Sequence, residues 1–269
     1  MALMKDMKLY DGNERILREL AAKGFGPDDP LRVSDLTPFD QYHYHGTAAV
    51  DEAIGALGLK PGMRVLDVGA GLGGPARYMA ERAGVHVTAL ELQEDLSDIA
   101  EGLTRRCGLS AQVSHACGNV LDGIDGSYDA IISMLCFLHI PDRTRLFQVC
   151  RAALRPGGRM YVEDYGQARS PSPSEAAALA HKVQCPYLPP TEQYRADLFA
   201  AGFSDVAMED VTADWTAFTQ SRARAYTAAR DRHVSLHGEA LVDGLADFYD
   251  TVAGLFAGGV ISGLKIRAA

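Results

Sequence analysis

Long apolar runs, excess positive charge, paired cysteines and a hydrophobic leader are all missing from this 269-residue sequence. No stretch approaches the ~18 consecutive apolar residues of a membrane-spanning helix. Met1 to Tyr10 is charged and has no apolar core, so no secretory signal is expected and a cytoplasmic protein is. With 26 Lys and Arg against 35 Asp and Glu the formal charge is −9. The basic footprint needed for non-specific binding to nucleic acid or an anionic membrane is absent, which leaves a small molecule as the favoured partner. The five cysteines, Cys107, Cys117, Cys136, Cys150 and Cys185, are odd in number and include no Cys-x-x-Cys spacing. That favours reduced, buried thiols over disulfides or structural zinc. His43 and His45 would share one side of a strand, but nothing completes a ligand set, and no metal is expected.

What is present is a chain of ordinary globular composition, 47% hydrophobic and 23% charged, long enough to bury a substantial core without staples. Short continuous apolar runs alternate with helical patterns from Arg64 to Glu163. The expected strands are Arg64 to Val68, His86 to Leu90, Gln112 to Ala116, Ala130 to Met134 and Arg159 to Glu163, with helices between most of them. Such runs imply a parallel sheet covered on both faces, hence an α/β fold. Before it, residues 1–47 read as a helical lead-in, with a helix expected over Gly12 to Lys23 and another over Thr47 to Leu57. Beyond Asp164 the alternation stops. Ser172-Pro173-Ser174-Glu175 is a capping box with Pro at the first helical position, opening a helix to about Val183, and Glu192 to Ala201 is a second. Residues 166–200 therefore read as a lid or a structural insertion, and 201–269 as closing strands and helices: strand Phe203 to Val211, helices Asp214 to His233 and Glu239 to Phe256, strand Val260 to Arg267. No feature fixes an oligomeric state.

Chemistry concentrates where the first expected strand ends. Asp67-Val68-Gly69-Ala70-Gly71-Leu72-Gly73-Gly74 is a glycine turn that lets backbone approach a ligand, and Glu91, 24 residues later at the tip of the next strand, can accept two ribose hydroxyls. A nucleoside cofactor is implied. Gly69, Gly71 and Gly74 also satisfy Gly-x-Gly-x-x-Gly, which keeps a dinucleotide in competition. Asp67, however, places negative charge where a pyrophosphate would lie. A cofactor bearing an ammonium and a sulfonium would tolerate it.

The Asp-x-Gly-x-Gly-x-Gly string followed by an acidic ribose ligand resembles the cofactor motif of class I S-adenosylmethionine (SAM) methyltransferases. The resemblance covers about Val50 to Glu163 and includes Leu154-Arg155-Pro156-Gly157-Gly158 as the entry to the fifth strand. It implies a Rossmann-like, mostly parallel seven-stranded sheet with an antiparallel last strand and a helical lid. SAM would be the cofactor, held by Asp67, Gly69, Gly71, Gly73, Glu91, Leu92, Asn119, Val120, Ser133 and Met134. Asn119 stands where the family commonly has Asp, although an amide can still bond an adenine edge. The fourth strand is not followed by the Asp/Asn-Pro-Pro-Tyr/Phe of enzymes acting on exocyclic amines of bases, and no nucleophilic cysteine motif of cytosine-C5 enzymes is found.

Phe137-Leu138-His139-Ile140-Pro141-Asp142-Arg143 and Gly73-Gly74-Pro75-Ala76-Arg77-Tyr78 narrow the resemblance to the sarcosine/dimethylglycine N-methyltransferase group, with phosphoethanolamine N-methyltransferases more distant. By that resemblance His139 maps onto a base beside a tyrosine, with Tyr42 and Tyr44 as candidates, and Asp164 and Tyr165 onto substrate-pocket positions. The alternative for His139 is a cap of the turn before Asp142. Farther on, Tyr187, Trp215, Arg222 and Tyr226 offer a cation–π cage and a carboxylate clamp, or else an ordinary packing face at helix spacing. The acceptor expected is the nitrogen of a small amine or amino acid. S- or O-methylation of a thioether, thiol or hydroxy acid, and a SAM-binding pseudoenzyme, remain as alternatives.

Overall fold

The computed structural model describes residues 14–269. The first strands form because Val65, Leu66, Val68 and Ala130, Ile131, Ile132 put apolar side chains on both faces of the pleat. Strands β1 (Arg64–Val68), β2 (His86–Glu91), β3 (Val113–Cys117), β4 (Tyr128–Met134) and β5 (Leu154–Gln167) are parallel. They are joined by β6 (Val206–Asp210) and β7 (Ile261–Ala268) in the order β3-β2-β1-β4-β5-β7-β6, where β7 runs antiparallel to both neighbours. The fold class expected from the sequence is observed. Leu154 to Gly158, expected as a turn, belongs to β5. The register jumps from Tyr128↔Leu154 to Ala130↔Arg159, and Gly157 at φ 76° absorbs the irregularity.

Helices α1 (Arg15–Ala22), α2 (Val33–Leu36) and α3 (Thr47–Leu57) precede the sheet. Helices α4 (Gly74–Ala83) and α5 (Glu94–Arg106) follow β1 and β2, and α6 (Arg143–Ala153) follows β4. Helices α7 (Pro173–His181) and α8 (Thr191–Ala200) lie between β5 and β6. Helices α9 (Thr212–Ala228), α10 (Arg230–His237) and α11 (Glu239–Ala257) lie between β6 and β7. The single helix expected over Asp214 to His233 is broken at Ala229, where φ −97° and ψ 13° leave the helical region. The Gly12 and Asn13 end of the first expected helix lies outside the described residues.

Two cores sandwich the sheet. Residues of α3 and α4, among them Val50, Ala53, Ala76 and Met79, pack on one face. Leu146, Phe147 and Cys150 of α6 with Tyr194 and Leu198 of α8 pack on the other. Helix α8 thus covers the sheet, whereas Leu179 of α7 joins Trp215, Val252, Leu255 and Phe256 of α9 and α11 in a separate cluster above the strand ends. The Ser172–Glu175 capping box forms as expected, with Pro173 at the first helical turn.

The segment leading into α3 is pinned across α4 by a buried ion pair. Arg77 donates to Asp40 Oδ2 at 2.9 Å and also reaches the carbonyls of Leu72 and Ala100 and the Thr104 hydroxyl. Gly74 makes this approach possible, since a Cβ there would lie 2.3 Å from the Asp40 carbonyl oxygen. Gly74→Ala is therefore expected to cost about 1–3 kcal/mol through forced displacement. It would appear as a lowered denaturation midpoint together with faster proteolysis around residues 37–46.

Candidate active site

The glycine turn, the ends of β2 and β4, and residues 40–43 enclose a cleft of about 970 Å³, open solvent at its mouth included. Its wall contains Asp67, Gly69, Gly71, Glu91, Leu92, Asn119, Val120, Met134, Tyr42 and His139 from the sequence-derived set. It also contains Asp40, His43, Leu135, Cys136 and Ile140, none of which the sequence had assigned to a cofactor or substrate site. Their signal was their position, immediately flanking Tyr42 and His139.

The glycines divide their work. Gly69 has φ 78°, and a Cβ there would collide with Cys136 Sγ at 2.2 Å. Gly71, φ 54°, faces the cleft with only the Tyr42 ring near it, at 4.0 Å. Gly73 lies outside the cleft wall and caps α4 in the left-handed region, with His115 and Arg77 behind it. Glu91 has a local task besides the one expected. Its carboxylate accepts the Gly71 N–H at 2.9 Å and the Gln93 N–H at 3.0 Å, so it braces the turn. Asn119 accepts the Leu121 N–H at 3.0 Å, leaving its NH₂ group without a protein partner among the described residues. Ser133 is fully buried and donates to the Val68 carbonyl, tying β4 to β1.

Asp67 is the unusual group. It is 2% exposed, its Oδ2 has no hydrogen-bond partner, and burial together with nearby Glu91 pushes its carboxyl up to about 7. A buried carboxylate with one oxygen unpaired is costly unless a ligand cation or donor completes it. The donor set therefore fits SAM: a carboxylate for an ammonium, glycine backbone for close approach, and Glu91 at the ribose position.

His139 sits on the short 3₁₀ turn Phe137–His139 beyond β4. Its Nδ1 donates to the Gln184 carbonyl at 2.9 Å, so Nε2 carries the lone pair, and burial lowers its pKa below the ordinary histidine value. Asp142, not His139, caps α6 by accepting the Arg145 N–H. The described non-glycine residues with positive φ are His45, Leu135 and Gln184. Leu135 lines the cleft and Gln184 holds His139. Backbone strain of this kind gathers where function over-determines geometry.

The remaining expected residues are placed elsewhere. Tyr44 is buried off the cleft, its hydroxyl in a short hydrogen bond with that of Tyr165. Trp215 is fully buried and packs edge-on to Tyr44 at 4.8 Å. The space of a ligand cage is thus filled by the aromatic side chains themselves. Asp164 lies beneath the site in a buried pair with Arg143 at 2.8 Å. Tyr187 is on the surface, and Tyr226 stacks on His233 at 4.6 Å. Arg222 lies over the Tyr44 ring. His43 and His45 are engaged separately, His43 by the Tyr44 carbonyl and Gln41, His45 by Asp214. Among the described residues Glu19, His233 and His237 bring donor atoms within 4.8 Å of one another, but Arg232 already neutralises Glu19.

Residues 65–158 match the family described as a methyltransferase domain. Residues 65–158 carry a methyltransferase domain, and the fold is that of class I SAM methyltransferases. Its relatives include a phosphoethanolamine N-methyltransferase of Triticum aestivum, 33% identical over 78% of this chain and 40% of that protein. A glycine/sarcosine/dimethylglycine N-methyltransferase of Actinopolyspora halophila is 29% identical over 65% of this chain and 32% of that protein. The chain thus spans less than half the length of these relatives. A 27-O-demethylrifamycin SV methyltransferase of Amycolatopsis mediterranei is 29% identical over 93% of this chain and 89% of that protein. Among solved structures, a Haemonchus contortus phosphoethanolamine N-methyltransferase 2 bound to S-adenosylhomocysteine superposes with TM-score 0.76 at 24% identity, over 83% of this chain and 52% of that one. That likeness is one of fold. The methyltransferase domain accounts for the cleft from Asp67 to His139. The dinucleotide alternative loses its support, because the inserted antiparallel β7 and every one of these relatives belong to methyltransferases. No described helix is long and apolar enough to cross a membrane.

Proposed function

We propose that this chain is a SAM-dependent methyltransferase that acts in the cytoplasm on the nitrogen of a small polar amine or amino acid. The observation that carries this reading is His139, which lines the cleft with Asp67 and Glu91 and whose Nδ1–H bond to the Gln184 carbonyl leaves Nε2 as the basic nitrogen. SAM, when bound, supplies an electrophilic sulfonium methyl group. Asp67, Gly69 and Gly71 hold its methionine end, with Glu91, Leu92 and Asn119 at the nucleoside. Met134, Leu135 and Ile140 keep the reacting end apolar and dry. A protonated amine has no lone pair to offer, so His139 takes its proton, and Tyr42, which lines the same cleft, orients the acceptor. Holding donor and acceptor in line accounts for most of the acceleration, up to ~7–11 kcal/mol.

A second reading, methylation of a hydroxyl, is favoured by the nearly full-length match to the Amycolatopsis protein; His139 would serve it equally as a base. S-adenosylhomocysteine release is the test, with SAM and a panel of glycine-type amines, phosphoethanolamine, hydroxy acids, phenols, thiols and thioethers. Turnover of amines is expected. Turnover confined to hydroxyl or sulfur compounds would replace the acceptor, and tight SAM binding with no turnover at all would make the chain a pseudoenzyme.

A further inference from the structure

Residues 40–46, which supply one wall of the cleft through Asp40, Tyr42 and His43, form neither helix nor strand. Among the described residues no backbone–backbone hydrogen bond involves residues 41–45. A segment without a backbone ladder depends on its side chains for a fixed shape. Tyr42 stands in the middle of it. Its ring lines the cleft and lies 4.0 Å from where a Cβ on Gly71 would be, so the direction of one irregular residue shapes the wall beside the glycine turn.

The side chains on either side of Tyr42 are tied to each other. Gln41 Nε2 donates to Asp40 Oδ1 at 2.8 Å, and the other oxygen of Asp40 holds Arg77. An ionised carboxylate accepts and does not donate, so it fixes the orientation of the Gln41 amide and turns Oε1 toward His43 Nε2 at 2.8 Å. Gly74 leaves room for that amide, since a Cβ there would lie 2.6 Å from Gln41 Nε2. His43 is 5% exposed, and burial pulls its pKa down to about 4, so the ring carries a single N–H at neutral pH. Its other nitrogen, Nδ1, lies 3.0 Å from the Tyr44 carbonyl, and two oxygens therefore compete for one proton. The Gln41 oxygen is the nearer, and an amide that donates to a carboxylate is polarised toward a more negative oxygen. Nε2 thus carries the proton. Arg77, Asp40, Gln41 and His43 form one chain of hydrogen bonds, and its last link bridges the two neighbours of Tyr42.

We propose that His43 is a positioning residue: its bond to Gln41 extends the anchoring of Asp40 past Tyr42 and holds the Tyr42 ring toward the acceptor. This rests on the reading of Tyr42 as the residue that orients the acceptor. A bridge across one residue leaves its backbone few conformations, so the ordering is complete before the acceptor arrives. The His-x-His pair then divides its work. His43 holds Tyr42, while His45 ties the segment to Asp214 of α9 at 2.6 Å.

Two NMR measurements on the full chain saturated with S-adenosylhomocysteine test it without turnover. Nitrogen–proton correlation spectra at neutral pH should show His43 as the Nε2–H tautomer, the opposite of His139. In protein carrying fluorotyrosine, the Tyr42 signal, assigned by its loss in Tyr42→Phe, should shift or broaden in His43→Phe and in Gln41→Leu. The signal of Tyr128, in the core under α6, should stay in place and so shows which variants are folded. Turnover of the acceptor that the parent methylates best is then compared in two backgrounds at saturating SAM. His43→Phe should lower kcat/KM for the acceptor at least about 10-fold in the parent, as a misplaced group does. In Tyr42→Ala it should cost less than about twofold further, because residues that act through one another do not add. The Nδ1–H tautomer in His43, an unmoved Tyr42 signal in both variants, or equal losses in the two backgrounds would overturn the positioning role. A Tyr42 signal that moves in a chain that methylates no acceptor on the panel would keep the bridge and sink the enzymatic reading.

Discussion

Replacing Asp67 with Asn is expected to weaken SAM binding about 30-fold or more, ~2 kcal/mol or more, as for other buried charge pairs that lose one member. The variant should also lose a pH dependence that the unaltered protein shows. In the ligand-free protein the Asp67 carboxyl titrates near 7, raised first by burial and then by Glu91. A ligand ammonium beside it favours the ionised form, so the bound-state value falls and binding releases a proton. Affinity should then rise with pH up to about 7 and level off above it. Below 7 it should fall by as much as about tenfold per pH unit. Calorimetry in two buffers of different ionisation enthalpy reads the proton directly. The sign for stability is opposite. A carboxyl raised above its unfolded value of ~3.9 contributes stability that is lost as pH rises through 7, so the ligand-free Asp67→Asn protein should melt higher than the parent at pH 8. Equal affinity at pH 6 and pH 8 in the parent would remove Asp67 from the ammonium site.

His139→Ala is expected to lower kcat by about 10²- to 10⁴-fold, the range of a lost general base, with SAM affinity within about twofold. The two effects should separate because the cofactor contacts proposed are those of Asp67 and Glu91 and not of His139. Burial lowers the His139 pKa, so the imidazole is already unprotonated at neutral pH. In the parent at saturating SAM, kcat/KM for the acceptor should stay flat from neutrality down past the ordinary histidine pKa near ~6.5 and decline only in more acid solution. The Nδ1–H bond to the Gln184 carbonyl fixes the tautomer that makes Nε2 the acceptor, so His139→Gln, which has no equivalent basic nitrogen, should be nearly as slow as Ala. Loss of SAM affinity equal to the loss of kcat would mark His139 as structural. Full activity would point to a thioether acceptor, which needs no deprotonation.

The parallel sheet, its flanking helices and the cleft wall from Asp67 to Asn119 were legible in the sequence because they are local. A glycine turn can be read from its glycines, a buried parallel strand from its unbroken apolar run, and an acid at the tip of the second strand from its distance along the chain. Residues 166–269 were legible only as a break in alternation, and two helices there were expected differently. Helix α8 covers the sheet through Tyr194 and Leu198, and the long helix expected over Asp214 to His233 breaks at Ala229.

Which polar residue faces which neighbour depended on contacts between segments far apart in the chain. Asp164 and Tyr165 follow each other on β5, yet the strand's period of two sends one to Arg143 and the other to Tyr44. Tyr42 and Tyr44 were equivalent candidates by sequence, and only the pinning of Asp40 by Arg77 sets Tyr42 against the cleft. The sequence by itself determined the fold, the cofactor turn and the presence of a histidine beyond the fourth strand, since each is encoded by short-range pattern and steric necessity. The tertiary structure decided the tautomer of that histidine, the unpaired oxygen of Asp67 and the pairing of Asp164 with Arg143. Burial and hydrogen-bond partners are properties of the packed chain, and no spacing along the sequence carries them.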